Sequence, residues 1–431
     1  MVARPNVEAL VAEAEAVLAV LPGGSFSEDL LASVLERDST VDAVTVALGE
    51  LAARQVIQPV PGRSGRWLVA CDVAARARAR TTGPGTLGSA GVDGDGDDAV
   101  RRGVLAWYQA TTRSCALALS PHSPRLDNPT PGAVEASGWS SEQACAWFTD
   151  ELPALLHLLG EHSTVEPETR VWLADYLQPA CATLADPAVW LVVCQHGITA
   201  ATQVGDLAAV AQMHCQATEA LLRHGELEEA ARHAHAAIEA ARRAGAHRVL
   251  GNAFHCLGLI ALRQGELEAA AAALSDAINA YSHPEYRPRS LGLAFRRLAL
   301  VHSAADRTQA AFAAIEHSIA LLEGAGDSRA AAASRLEHAD LLLHQGHRDH
   351  AIAVLDEIRP TITDAGSPTH RARLVEVGAR AAHGSSAIET ALHALLTAAC
   401  AYEQARDPER ATAARARHAR LVSDRSGPWL P

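Results

Sequence analysis

Lysine is missing from all 431 residues, so the 37 side chains counted as Lys+Arg are all arginine. Within this polypeptide that excludes a P-loop lysine, a Schiff-base lysine and a pyridoxal-phosphate anchor. Aromatic residues are scarce, at 4%, which suits thin layers of alanine-rich helix better than a sheet-built core. The 8 cysteines are scattered without a C-x-x-C pair, as buried reduced thiols would be, not a disulfide framework. No apolar run reaches membrane-spanning length. Met1 to Leu21 carries Glu8, Glu13 and Glu15 where a basic leader would stand, so a cytoplasmic location is expected. A Gly-x-Ser-x-Gly elbow is absent too. The net charge of -13 and pI near 5.9 argue against general affinity for nucleic acid or anionic membranes and leave only local basic patches open.

What is present is a repeat. Four turns, Arg223–Ala230, Arg263–Ala270, Ala304–Ala311 and His344–Ala351, align on Gly225, Gly265, Asp306 and Gly346, at steps of 40, 41 and 40 residues. With Gly225 as position 15 of a unit, position 20 reads Ala230, Ala270, Ala311 and Ala351, and position 8 reads Thr218, Gly258, Ala299 and Ala339. Larger apolar groups follow at position 11 or 24, in Leu221, Leu274, Ile315, Leu342 and Leu355. That order of turn, small and large residues resembles the tetratricopeptide repeat, with a few extra residues between units. The resemblance implies helical hairpins that stack into a superhelix with a concave groove, because no single hairpin can bury its apolar face alone.

Around this core the chain divides into residues 1–80, 81–100, 101–167 and 168–423. The first piece reads as three helices and a hairpin, a winged-helix-like domain. Its helices run from Val7 to Leu21, from a Ser25/Glu28 capping box, and from Ser39/Asp42 to Gln55; its strands are Val56–Val60 and Trp67–Ala70. The candidate recognition helix holds Asp42 and Glu50 against Arg54 alone, too little positive charge for phosphate contacts, so direct DNA binding is not expected. Residues 81–99 read as a flexible Gly/Asp linker. Asp93, Asp95, Asp97 and Asp98 lack the Glu and flanking helices of a calcium loop. A connector with helices near Val104–Leu119 and Ser140–Leu159 leads to an irregular unit, Val171–Ala201, whose Trp172, Tyr176 and Trp190 read as core. A degenerate unit (Arg371–Cys400) and a polar last helix (Pro408–Val422) read as capping. The fold class expected is mainly α: a winged-helix-like domain followed by a tetratricopeptide-type α-solenoid.

This order of parts resembles the C-terminal half of bacterial STAND regulators, the signalling ATPases that include antibiotic-regulatory proteins. The connector carries the nearest likeness, in Arg102–Tyr108, Leu119–Arg125 and Ala144–Glu151. In that family a nucleotide-binding domain precedes the winged helix, which ends in a hydrophobic-His-Asp motif. Here the chain begins at the winged helix, and the matching positions are Ala70-Cys71-Asp72. The resemblance therefore implies a regulator half without ATP control, with Asp72 kept as a helix N-cap.

Several histidines adjoin cysteines, as in His214-Cys215, His255-Cys256 and Cys194-Gln-His196, but none of the pairs has the spacing of a zinc site. Cys215 and His255 share position 5 of neighbouring units and would form a Cys/His pair, though no orienting third group is readable. First-helix positions 2, 5, 9, 12 and 13 propose a groove lined by Gln212, Cys215, Glu219, Arg223, Asn252, His255, Arg263, Arg296, Asp340 and His344. Mixed charge with arginine suits a peptide or polar molecule better than an apolar helix. The leading expectation is a non-catalytic regulator or scaffold that captures a protein segment in this groove, with no cofactor, metal, nucleic acid or membrane. The alternatives are a small-molecule sensor and a groove adapted as an enzyme in specialised metabolism.

Overall fold

The structure is a computed structural model that describes residues 7–22, 24–35, 41–70, 94–121, 125–126, 138–160, 163–184, 186–282, 288–365, 368–381, 385–404 and 408–423. Two compact units divide the chain, Met1–His224 and Gly225–Pro431.

The first unit opens with α1 (Val7–Val20), β1 (Ser25–Ser27), α2 (Glu28–Leu35), α3 (Val41–Ala53), β2 (Ile57–Pro59) and β3 (Arg66–Val69). The strands form an antiparallel sheet in the order β1-β3-β2, with Phe26 opposite Trp67 and Gln58 opposite Leu68. The expected hairpin is thus present, but the capping box is displaced. Ser25 lies on a strand opposite Leu68, and the cap is Ser27, whose Oγ accepts a hydrogen bond from the Leu30 amide at 3.3 Å. Fully buried Phe26 between two half-buried serines explains the shift. That alternation suits an edge strand, so the helix starts later. Ser39, Cys71, Asp72 and residues 81–93 lie outside the described residues.

Next come α4 (Gly94–Leu119), α5 (Ser141–Leu159), α6 (Pro167–Leu184), α7 (Pro187–Val204) and α8 (Leu207–His224). Helix α4 begins at Gly94, inside the stretch expected to be linker. The start of α5 carries a reciprocal capping box, in which Ser140 Oγ accepts from the Gln143 amide at 3.1 Å and Gln143 Oε1 from the Ser140 amide at 2.8 Å. One apolar core runs through the whole unit, from Leu10 and Phe26 through Tyr108 and Phe148 to Trp172, Trp190 and Ala220. Trp172 stacks on Tyr176 with ring centroids 4.2 Å apart.

The second unit is a run of hairpins: α9 (Leu227–Ala244), α10 (His247–Gln264) with α11 (Leu267–Tyr281), α12 (Pro288–Ala304) with α13 (Thr308–Gly324), α14 (Ser328–His344) with α15 (Arg348–Ala365), α16 (Pro368–Ala381) with α17 (Ser385–Gln404), and α18 (Pro408–Ser423). All four aligned turn residues have left-handed backbone, with φ of +87° at Gly225, +77° at Gly265, +56° at Asp306 and +78° at Gly346. Asp306 therefore takes the conformation its glycine counterparts take, which carries the chain out of one helix and into the next. Ala270, Ala311 and Ala351 are fully buried where paired helices meet, and Leu274 and Ile315 fill the space beside them. At Gly258 an added Cβ would lie 2.7 Å from Leu274 Cγ, so the absence of a side chain is required there. Each hairpin packs on the next, and successive first helices also touch, α10 to α12, α12 to α14 and α14 to α16. This is a tetratricopeptide-type α-solenoid.

Candidate functional site

In the second unit the first helices that carry the expected groove positions touch one another in succession, α10 to α12, α12 to α14 and α14 to α16. Asn252 on α10 accepts a hydrogen bond from the Tyr281 hydroxyl at 2.5 Å, which fixes its amide. One turn further along α10, His255 is half-buried and its Nε2 is buried without a hydrogen-bond partner. Burial, then Arg297 and Arg296, push its imidazole down to about 3. Arg263 is exposed at the end of the same helix.

Arg296 and Arg297 on α12 are half-buried, and neither makes an ion pair with a described residue. Burial and then Arg296 and Arg410 bring Arg297 down to about 9. His370 on α16 is likewise held down at about 3, by burial first and then by Arg296, Arg297, Arg410 and Arg329. Three helices, α12, α14 and α18, therefore contribute positive groups to one zone around His370 on α16. The carboxylates within reach are already engaged, since Asp327 pairs with Arg289 at 2.7 Å and Glu337 with Arg373 at 3.4 Å.

Toward the other end of α14 the balance is different. Asp340 is buried and paired with both Arg373 and Arg380, and Arg380 Nη2 lies 3.1 Å from His344 Nε2. Burial alone would raise the Asp340 carboxyl, but Arg373 and Arg380 outweigh it and hold it below the usual carboxylate range. Buried Glu376 accepts from the Tyr402 hydroxyl at 2.8 Å and from Arg373 Nη1 at 3.1 Å, and it also pairs with Arg417. Asp340 is thus part of a closed, internally neutralised network.

The remaining groove positions belong to the first unit. Gln212 and Cys215 are buried there, at 8% and 3% exposure, while Glu219 and Arg223 are exposed. Arg223 donates Nη1 to the Ala182 carbonyl and lies over the Trp190 ring at 5.4 Å. The Cys215/His255 pair is divided between the two units. Arg297, Arg329, His370 and Arg410 were not among the groove positions expected from sequence. Arg297 falls at position 6, beside an expected position but not among those used, and Arg329 lies before position 1 of its unit, outside the register.

A shallow depression of about 210 Å³, lined by Ile352, Leu355, Arg359 and Gly378 among others, is smaller than the roughly 300–1,000 Å³ of small-molecule pockets. No helix of the described residues is long and apolar enough to cross a membrane.

No known family profile matches this chain, and no curated protein matches it in sequence. Among solved structures it is similar to aspartyl phosphate phosphatase F from Bacillus subtilis, at 10% identity over 100% of this chain and 98% of that one, with a TM-score of 0.47. It is similar to a Rap protein complexed with competence and sporulation factor, at 10% identity over 74% and 98%, with a TM-score of 0.46. A third is a STAND protein with a tetratricopeptide repeat sensor from Pyrococcus horikoshii, at 12% identity over 96% and 64%, with a TM-score of 0.39. All three scores lie below 0.5, so the solenoid assignment stands on the helix packing described above.

Proposed function

We propose that the protein is a regulatory scaffold whose second unit captures a segment of a partner protein along its first-helix face. The observation that carries this reading is the side-by-side contact of α10, α12, α14 and α16 combined with charged, half-buried side chains on that face. A face built only to pack would be apolar, and one built only to be solvated would not hold Arg296 and Arg297 half-buried without a partner. An extended segment suits a row of helices, whereas the small depression near Arg359 does not favour an enclosed ligand.

The N-terminal order of helix, strand, two helices and a hairpin supports a winged helix with a structural role. Arg54, just beyond α3, is tied to Glu50 at 3.0 Å, which leaves that helix without free positive charge at its end. With the resemblance of the connector segments, this favours a regulator of STAND type.

Photo-crosslinking tests the reading. Benzoylphenylalanine in place of exposed Arg263 on α10 should yield an adduct with a defined protein segment in lysate. The same group in place of Arg359, on second helix α15, should yield none. Equal labelling from both positions, or no peptide adduct from Arg263, would refute the groove.

A further inference from the structure

The fifth unit departs from the repeat at one place. Helix α16 starts 40 residues after α14, at Pro368 against Ser328, and α15 starts 40 residues after α13, at Arg348 against Thr308. In that frame Leu257, Leu298, His338 and Gly378 share position 7. The side chains at this position lean on the preceding second helix. Leu298 packs with Ala270 and Leu274 of α11, and the His338 ring meets the Phe312 ring of α13 edge-on, with centroids 5.6 Å apart. Ile352, the counterpart of Phe312 on α15, has only Gly378 across from it and stays 38% exposed. The depression of about 210 Å³ lined by Ile352, Leu355, Asp356, Arg359, Gly378 and Ala381 is thus the space that a position-7 side chain would fill.

Glycine is a poor residue for a helix interior, and nothing among the described residues requires it at 378. An added Cβ would lie 2.6 Å from Tyr281 at Gly251, 2.7 Å from Leu274 at Gly258 and 2.8 Å from Leu322 at Gly292, whereas at Gly378 it would meet no atom within 4 Å. Those three glycines make room for an apolar side chain of a neighbouring helix. Gly378 makes the same room, and it is open. The floor is apolar, with Leu355 and Ala381 each 2% exposed, and the rim carries Asp356 and Arg359 paired at 3.0 Å. An indole matches that chemistry. Its rings fill apolar space, its N–H donates to a carboxylate such as Asp356, and a guanidinium such as Arg359 settles over its face.

The chain holds one such side chain within reach. Trp429 is the only tryptophan of Gly225–Pro431, and it stands beside Leu430 between Pro428 and Pro431. Residues 424–431 lie outside the described residues and follow directly on α18. Helices α16, α17 and α18 are joined by short connections and pack in succession, so α16 and α18 run the same way. Arg417 of α18 pairs with Glu376, two residues before Gly378, which sets the two helices level. Ser423 lies about 9 Å further along α18 than Arg417, so the chain leaves α18 at the end of the stack where the depression is. Passing from α18 over α16 takes about 20 Å, one helix spacing of roughly 8–10 Å and one helix width of about 10–12 Å. The residues from Ser423 to Trp429 span about 20 Å when extended, and a proline favours that form in the residue before it.

We infer that residues 424–431 cross α16 and seat Trp429 in the depression between α15 and α16, where earlier units place their own position-7 side chain. The segment ties α18 back to α15 and closes the end of the solenoid.

The test uses the full chain labelled with 5-fluorotryptophan and read by fluorine NMR, in which Trp429→Phe identifies the Trp429 resonance by its loss. In the wild type that resonance should lack the shift between light and heavy water that an exposed indole shows, at every protein concentration. Gly378→Leu fills the depression as Leu298 fills its own, in a helix that leucine suits better than glycine, and should move the resonance to the exposed position. Asp356→Ala, at an exposed site, gives a second reading and should move it part of the way. A full solvent shift in the wild type, or a protected resonance that neither variant moves, would overturn the docking. A resonance that becomes exposed on dilution would assign the segment to a second copy and overturn it as well.

Discussion

Arg66 and Glu151, separated by 85 positions in sequence, close an ion pair at 2.6 Å in the interior of the first unit, where their side chains are 9% and 0% exposed. The same carboxylate accepts from the Tyr108 hydroxyl at 2.9 Å, and Arg66 Nη2 donates to the Asp150 carbonyl at 2.8 Å and to Ser25 Oγ at 3.0 Å. Burial first, and then the Glu151 charge, push the Tyr108 phenol well above its ordinary value. The sheet is fastened to α5 by charge as well as by apolar packing.

Removing the carboxylate strands a buried guanidinium. Glu151→Ala should therefore destabilise the first unit by about 3–5 kcal/mol, and Glu151→Gln, which keeps an acceptor, by less. Urea titration followed by tryptophan fluorescence measures both. A loss under about 1 kcal/mol for the alanine variant would show that water already reaches the pair.

Acid should weaken the second unit in two stages. His255 and His370 are held neutral, each down to about 3, while an unfolded histidine takes up its proton near 6.5. Their contribution is therefore fully present above about pH 6.5 and shrinks as pH falls toward 3, because only the unfolded chain gains the protons. Asp340 has its carboxyl lowered, so what it contributes is intact above about pH 3.9 and is lost as pH falls through its lower folded value. Melting temperature against pH should slope downward below about 6.5 in the wild type and more gently in His255→Asn/His370→Asn. Parallel curves for the two proteins between pH 6.5 and 4 would contradict the assigned environment.

The turn at Asp306 offers a gain. A non-glycine residue at φ +56° carries backbone strain that glycine lacks, so Asp306→Gly should stabilise the second unit by up to about 1 kcal/mol. Asp306→Val should destabilise it by at least as much. A differential scanning calorimetry series would rank the three proteins, and wild type above the glycine variant would argue against the turn alignment.

That alignment was legible from sequence because turn backbone and helix crossings restrict residue size. Only a small side chain fits at Ala311, and only a residue tolerant of left-handed backbone suits position 306. Ser25 misled because a Ser-x-x-Glu pattern is local, whereas the demand of Phe26 for a core is tertiary. The groove register is a fixed position rule and carries no measure of depth: in the first unit positions 2 and 5 are buried at Gln212 and Cys215. Arg373, Arg380 and Arg417 were hidden for another reason: their roles depend on partners supplied by other helices, which no spacing along one helix records.

The uninterrupted apolar interior from Leu10 to Ala220 has a mechanical consequence. Trimming at residue 80 or 167, where composition suggests a seam, would slice through interlocked side chains and expose two raw faces. The opening helices, the sheet, the connecting helices and the three that follow should consequently travel as one solid object and not as beads on a string.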